Sequence, residues 1–178
     1  MLDLETALAR LLASLPPAEP ERIPLTESAS RFLAEKIISP LDLPVFDNSA
    51  MDGYAVRAVD VTGASASSPV TLTRVAKIPA GEMFAGELCA GECARLFTGA
   101  PMPRGADAVV MQEDTRIECE RVLILDRVVT GENIRRRGED VRQGAPLGEI
   151  GDEITPGKIG LLAATGVCEV SVGRRPNV

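Results

Sequence analysis

Leu41-Asp42-Leu43-Pro44-Val45-Phe46-Asp47-Asn48-Ser49-Ala50-Met51-Asp52-Gly53-Tyr54-Ala55-Val56 is the stretch where the chain changes character. Turn formers and apolar residues mix here without a sustained period, so it reads as an ordered loop running into a strand. Upstream the pattern is helical. Leu4, Leu8, Leu11, Leu12 and Leu15 fall at helical spacing. They predict an amphipathic helix of about three turns, with Asp3 as N-cap and Pro16-Pro17 as the stop. After a Pro-rich link, Leu33, Ile37 and neighbouring Phe32 form an apolar stripe. A second helix is expected over 26–38, ended by Ser39-Pro40.

Downstream the pattern is β. Short runs of β-forming residues recur at 70–75, 93–97, 108–111 and 122–125, and their spacers are rich in Gly, Pro, Ala and acidic residues. Such punctuation suits a small barrel or a coiled, bifurcated sheet rather than βαβ units. Beyond Gly138, Thr155 offers an N-cap and Pro156 a first helical position for a helix over 157–165, stopped by Gly166. A last strand is expected at 167–172, and Gly173-Arg174-Arg175-Pro176-Asn177 reads as a link. No internal repeat is present. The expected fold is α+β and β-rich. Both chain ends, 1–43 and 141–178, build a mixed α/β lobe, and 44–140 form an inserted β-barrel-like lobe of short coiled strands.

Composition narrows the function. With 178 residues, 45% of them hydrophobic, the chain can bury one or two cores without disulfides. A net charge of -7 argues against a general nucleic-acid binder, which needs a surplus of cations on one face. Any anion site must be local. Only Lys36, Lys77 and Lys158 are lysines among 19 basic residues, a bias that suits planar oxyanion recognition but arises equally from genome composition. The absence of histidine removes Ser-His-Asp and Cys-His pairs and most zinc or iron sites. Carboxylates, hydroxyls, arginines and backbone groups must then carry any chemistry. Cys89, Cys93, Cys119 and Cys168 show no CxxC spacing and read as buried thiols of a reducing compartment. Asp3, Glu5 and Arg10 interrupt the N-terminal apolar run, so neither targeting nor membrane insertion is expected, and the location expected is cytoplasmic.

Three loops concentrate polar residues among glycines and prolines. In the first, 46–54, Asp52-Gly53 is by itself a common turn, while an Asp52 with a function would suit a hard cation such as Mg²⁺. In the second, Thr98-Gly99-Ala100-Pro101-Met102-Pro103-Arg104-Gly105-Ala106-Asp107, Gly99 lets backbone approach a ligand and Thr98 offers a hydroxyl beside it. A wide turn would look the same, and no P-loop lysine follows. In the third, Asn133-Ile134-Arg135-Arg136-Arg137-Gly138-Glu139-Asp140-Val141-Arg142, three arginines beside two carboxylates could hold an oxyanion or simply neutralise one another.

The combination and order of these loops closely resemble the N-terminal and linker region of the molybdopterin molybdotransferase family, of the MoeA and gephyrin E-domain type. The residues that carry the likeness are Ser39-Pro40 to Pro44, Phe46 to Val56, Thr98-Gly99-Ala100-Pro101 with Ala108-Val109-Val110, and Asn133-Ile134-Arg135-Arg136-Arg137-Gly138-Glu139-Asp140. The resemblance implies an elongated homodimer, with a pterin-binding domain and a small C-terminal domain beyond this sequence. It implies a reaction that consumes adenylylated molybdopterin and molybdate, releases AMP and is assisted by Mg²⁺, with a molybdopterin adenylyltransferase as a further partner. Asp52, Thr98, Arg135 and Asp140 match family positions implicated in activity. Asp52 and Asp140 would position the metal or a water, Arg135 would offset anionic charge, and Thr98 would orient an oxyanion. Ser49, Gly99 and Arg136 are expected to contribute to cofactor binding, and Arg136 and Arg137 read equally well as structural. Ser30 stands where the family commonly has glycine, and is expected to fit with little consequence. Without the pterin domain the chain is expected to be inactive.

Two rivals stand beside this reading. One is a non-catalytic dimerisation or scaffold module, which a basic receptor-binding surface or an extra fused domain would favour; the sequence has neither. The other is a carrier of the biotinyl type, suggested by the Gly- and Pro-punctuated 144–157. A carrier needs a lysine at a hairpin tip, and Lys158 falls in the expected helix instead.

Overall fold

The computed structural model describes residues 3–14 and 18–175. It is predominantly β with two α-helices. The chain divides into two compact units, one made by the residues up to Pro40 with those from Gly144 onward, the other being Leu41–Gln143.

In the unit made by the chain ends, helix α1 spans Leu4–Ser14. Asp3 caps it, accepting from Thr6 N–H at 2.8 Å and from the Thr6 hydroxyl at 2.9 Å. The expected Pro16-Pro17 stop lies outside the described residues. Strand β1 (Pro20–Pro24) follows and pairs antiparallel with the last strand. The expected helix over 26–38 does not form. A single 3₁₀ turn, Leu25–Glu27, is all that remains of it. The Ser28 hydroxyl bonds back to Leu25 O at 2.7 Å, and Ser30 adopts φ 58, which ends any helix. The chain then runs extended, with Phe32 bridging Glu153 and Leu33 bridging Val172 before β2 (Ile37–Ile38). Leu33 and Ile37 are buried, as a helix would have had them, but Phe32 is largely exposed. Four-residue spacing was therefore met by bent extended backbone. Nor is Ser30 without consequence, because left-handed backbone disfavours any side chain there.

The inner unit is built on strands β3 (Asn48–Ser49), β4 (Gly53–Val56), β5 (Val70–Ile78), β6 (Glu92–Leu96), β7 (Ala108–Met111), β8 (Thr115–Glu118), β9 (Arg121–Ile124) and β10 (Ile134–Arg135). Six of them form one sheet in the order β7-β4-β6-β5-β9-β8, with β5 and β6 parallel and the other pairs antiparallel. Its edges β7 and β8 do not pair with each other, so the sheet stays open rather than closing into a barrel. Tyr54, Leu72, Val110 and Ile124 belong to one buried cluster, and Ala55, Ile78, Leu96 and Val109 to another. Alternate residues of β4 enter different clusters, so both of its faces are covered. Gly53 has to be glycine. A Cβ there would lie 2.1 Å from the Val110 carbonyl oxygen of the neighbouring strand.

The chain returns to the first unit through β11 (Pro146–Gly148), which pairs with β2, and helix α2 (Pro156–Ala164). As the sequence predicts, Thr155 caps α2 by accepting from Lys158 N–H at 3.3 Å, and Pro156 opens it. Strand β12 (Glu169–Gly173) closes against β1. Of the four cysteines only Cys93 is buried, where burial pushes its thiol up to about 12. Cys89, Cys119 and Cys168 are exposed, which corrects the expectation that all four are packed inside. All three lie in turns or connections outside the strands, where side chains are commonly exposed.

Candidate functional site

The three polar loops meet within the inner unit, and Ser49 is where they are tied. Its N–H donates to Ala100 O at 2.9 Å, and its carbonyl accepts from Gly99 N–H at 2.8 Å. On its other side β3 pairs with β10, setting Ser49 opposite Ile134 and Asn48 opposite Arg135. Backbone bonds from Ala50 N–H to Asn133 O and from Met102 N–H to Asp47 O complete the stitching. Ser49 is fully buried, and its hydroxyl donates to Met51 O at 2.6 Å. Its polar groups are thus used internally, to shape the loop. Gly99 sits at φ 83, and a Cβ there would meet nothing within 4 Å. The left-handed backbone favours glycine here, and the space beside it is open.

Each aspartate of the opening stretch holds a different piece. Asp52 Oδ1 accepts from both the N–H and the hydroxyl of Thr98, each at 2.8 Å. These two bonds, followed by the Arg95 charge, hold the Asp52 carboxyl below the usual carboxylate range. Its Oδ2 takes no hydrogen bond from the described residues. Asp47 accepts from Arg137 N–H at 2.8 Å through Oδ1 and from Arg136 Nη1 at 2.8 Å through Oδ2. The Arg137 N–H is the main reason that the Asp47 carboxyl is lowered. Asp42 accepts from Gln143 N–H at 2.8 Å and from Arg137 Nε at 2.6 Å, and is lowered by both.

The arginine triplet is therefore fully matched. Arg135 pairs with Asp140, Arg136 with Asp47 and Arg137 with Asp42. Asp140 holds Arg135 more firmly in its charged form. The pairs of Arg136 and Arg137 join the third loop to the first. The anchors Asp42 and Asp47 escaped sequence reasoning. Their signal was present in the five-residue spacing of Asp42, Asp47 and Asp52.

The structure brings Asp52 to Thr98 and Arg135 to Asp140 directly, and joins the two pairs through the backbone around Ser49. It does not gather Asp52 and Asp140 into a multidentate cage, since the described residues contain no group of three or more acidic, Cys or His side chains suited to a metal. The donor set nevertheless fits Mg²⁺ in one way. Asp52 has an open carboxylate oxygen, and this ion accepts one carboxylate completed by phosphate oxygens and water. Asp140, engaged by Arg135, fits less directly.

Likeness to known proteins places this open-edged β scaffold among proteins of molybdopterin biosynthesis. The chain belongs to the family described as MoeA N-terminal region (domain I and II), matched over residues 2–166. It is 41% identical over 180 residues to a molybdopterin molybdenumtransferase of Haemophilus influenzae, covering 100% of this chain and 43% of that protein. It is 43% identical over 159 residues to molybdopterin molybdenumtransferase 2 of Mycobacterium tuberculosis, covering 89% of this chain and 39% of that one. Among solved structures, the molybdopterin biosynthesis moeA protein from Pyrococcus horikoshii OT3 superposes with TM-score 0.92 at 36% identity, over 99% of this chain and 47% of that one. The chain thus spans less than half the length of these relatives. No helix of the described residues is long and apolar enough to cross a membrane.

Proposed function

We propose that this chain is the N-terminal part of a molybdopterin molybdotransferase of molybdenum cofactor biosynthesis. Joined to a pterin-binding region, it inserts molybdate into adenylylated molybdopterin with release of AMP. The observation that carries this reading is the Asp52–Thr98 pair, fixed at 2.8 Å and presenting an open carboxylate oxygen where three loops converge. At neutral pH Asp52 is ionised, and Oδ2 accepts a proton donor or a cation. Mg²⁺, when bound, supplies charge neutralisation at the phosphoanhydride. The Thr98 hydroxyl spends its proton on Asp52, so its lone pairs orient a water or a cation-bound ligand. Arg135 uses Nη2 on Asp140, leaving other guanidinium N–H groups for an oxyanion. Ser49, Gly99 and Arg136 act by holding the loops in register. The assembly proposed is a cytoplasmic homodimer that receives its substrate from a molybdopterin adenylyltransferase.

The test is molybdenum insertion by the full-length protein with adenylylated molybdopterin, molybdate and Mg²⁺. Asp52→Ala should lower the rate by about 100-fold or more while the protein stays folded, the scale of losing a group that acts on transition-state charge. One observation favours a second reading, a non-catalytic dimerisation or scaffold module. Leu4, Leu8, Leu11 and Leu12 of α1 are all more than half exposed, a stripe suited to a packing partner. A folded full-length wild type without molybdenum insertion would put that reading first.

A further inference from the structure

We infer that Arg95 is a positioning residue that clamps the Asp52–Thr98 pair, an inference that rests on the function proposed above. Arg95 lies on β6 directly opposite Tyr54 on β4 and Lys77 on β5. Its guanidinium carbon is 5.3 Å from the centre of the Tyr54 ring and 5.0 Å from that of Phe97. Tyr54 follows Asp52 by two residues, and Phe97 immediately precedes Thr98. The cation is thus seated on the two rings that flank the pair, one on each strand, and stacking on both fixes the separation of the strand ends.

Hydrogen bonds finish the clamp. Nη1 donates to Gly53 O at 3.2 Å, and Nη2 donates to the Gln112 side-chain oxygen. Gln112 in turn donates its N–H to Asp52 O at 3.0 Å. The carbonyls of Asp52 and of the residue after it are therefore both tied, one directly to Arg95 and one through Gln112. Lysine would keep the charge and much of the stacking, but has no planar fork to reach both acceptors at once.

The charge is deployed in an unusual way for this molecule. The chain has 26 acidic residues against 19 basic, yet Arg95 forms no ion pair with a carboxylate of the described residues. Lys77, 5.4 Å from the Phe97 ring centre on the same strand row, has no carboxylate partner among the described residues either. An arginine meant only to tie two surface strands would serve as well when matched to an acid. Left unmatched here, it directs its field to Asp52, and its charge adds to the Thr98 bonds in favouring the carboxylate. Gln112 and Arg95 carry no motif signature. The register of β4 against β6 brings Arg95 to the site, and that of β4 against β7 brings Gln112.

The experiment uses the full-length protein with Arg95→Gln and Arg95→Lys. The first readout needs no activity: hydrogen exchange at the Thr98 amide, whose N–H donates to Asp52, compared with the Val122 amide in β9. Arg95→Gln should speed exchange at Thr98 by about 10-fold, with Val122 within about 2-fold, as expected for a local opening. Arg95→Lys should fall between Gln and wild type. The second readout is molybdenum insertion, where Arg95→Gln should lower kcat by about 10-fold with KM for adenylylated molybdopterin within about 3-fold. Unchanged Thr98 exchange, or a rise matched at Val122, overturns the inference. Should Asp52→Ala retain full activity, the functional reading fails instead, and Thr98 exchange still decides what Arg95 does.

Discussion

The inner unit and the unit made by the chain ends bury their apolar residues by different means. In the inner unit six strands make one sheet, with Tyr54, Leu72, Val110 and Ile124 in one cluster and Ile78, Leu96 and Val109 in another. The other unit has two two-stranded ladders, β1 with β12 and β2 with β11, and the helix α2. Its buried side chains include Leu33, Ile154, Leu162, Val170 and Val172, drawn from segments far apart in sequence. Its backbone bonds are equally long-range, such as Leu33 N–H to Asp152 O and Ala34 N–H to Ser171 O. Where both faces of a strand are covered, as in β4 and most of β7, the sequence is a continuous apolar run. A unit closed by single bridges between distant segments does not write its strands that way.

The largest effects should come from emptying each interior. Leu72→Ala in the sheet and Leu162→Ala in α2 each remove a side chain that is at most 2% exposed, and each should cost about 2–5 kcal/mol. Urea unfolding gives the totals, and hydrogen exchange gives their location. Leu72→Ala should raise exchange across residues 41–143, and Leu162→Ala across the chain-end unit. Equal acceleration in both units by either variant would mean one cooperative structure and would remove the contrast.

The same contrast explains what could be read beforehand. The runs at 108–111 and 93–97 became β7 and β6 almost residue for residue, because Ala108, Val109 and Val110 are buried in succession and Cys93, Ala94 and Leu96 are buried around the one charge of Arg95. Thr155-Pro156 marked α2 because capping is local chemistry. The helix over 26–38 was misread because Leu33 and Ile37 are spaced for a helix, while the partners that pull them into bridges, Val172 and β11, are more than a hundred residues away. At the candidate site, motif likeness singles out Asp52, Thr98, Arg135 and Asp140, and the structure pairs them two by two. Asp42, Asp47 and Arg95 are not singled out. Each acts through a partner at long sequence separation, Asp42 and Asp47 on Arg137 and Arg95 on Gly53, which no local pattern encodes.

Acid sharpens the comparison at a smaller scale. Asp42, Asp47 and Asp52 of the inner unit all have carboxyls lowered from the ordinary 3.8, chiefly by backbone N–H donors of the loops that they hold. A lowered folded-state value means that the unfolded chain binds the proton more readily. The contribution is complete above about pH 5 and is lost as pH falls through the folded value. The amides of Arg137, Gln143 and Thr98 should therefore lose exchange protection only as pH falls below the ordinary carboxylate value of 3.8. The buried β7 amides, which no carboxylate holds, should keep theirs. Asp47→Asn should flatten the response at Arg137 and leave Thr98 titrating. A flat profile at Arg137 in the wild type would mean that Asp47 does not hold the third loop.

The smallest effect tests the chain-end unit at the point where its backbone is most constrained. Ser30 adopts φ 58, with its N–H donating to Ile154 O at 3.0 Å. The next residue, Arg31, donates to Gly173 O at 2.7 Å and pairs with Glu21, so this left-handed residue aims the arginine that ties β1 to the end of β12. Left-handed backbone costs an L-residue about 1–2 kcal/mol. Glycine escapes that cost but gives back part of it through its greater freedom when unfolded. Ser30→Gly should consequently stabilise the chain-end unit by about 0.5–1 kcal/mol, read as a shift in its urea midpoint. Ser30→Ala should give no gain, because it keeps the Cβ that creates the cost, and Ser30→Val should lose stability through its branched side chain. A gain for alanine equal to that for glycine would point to the hydroxyl rather than the backbone, and the constraint at this corner would need another origin.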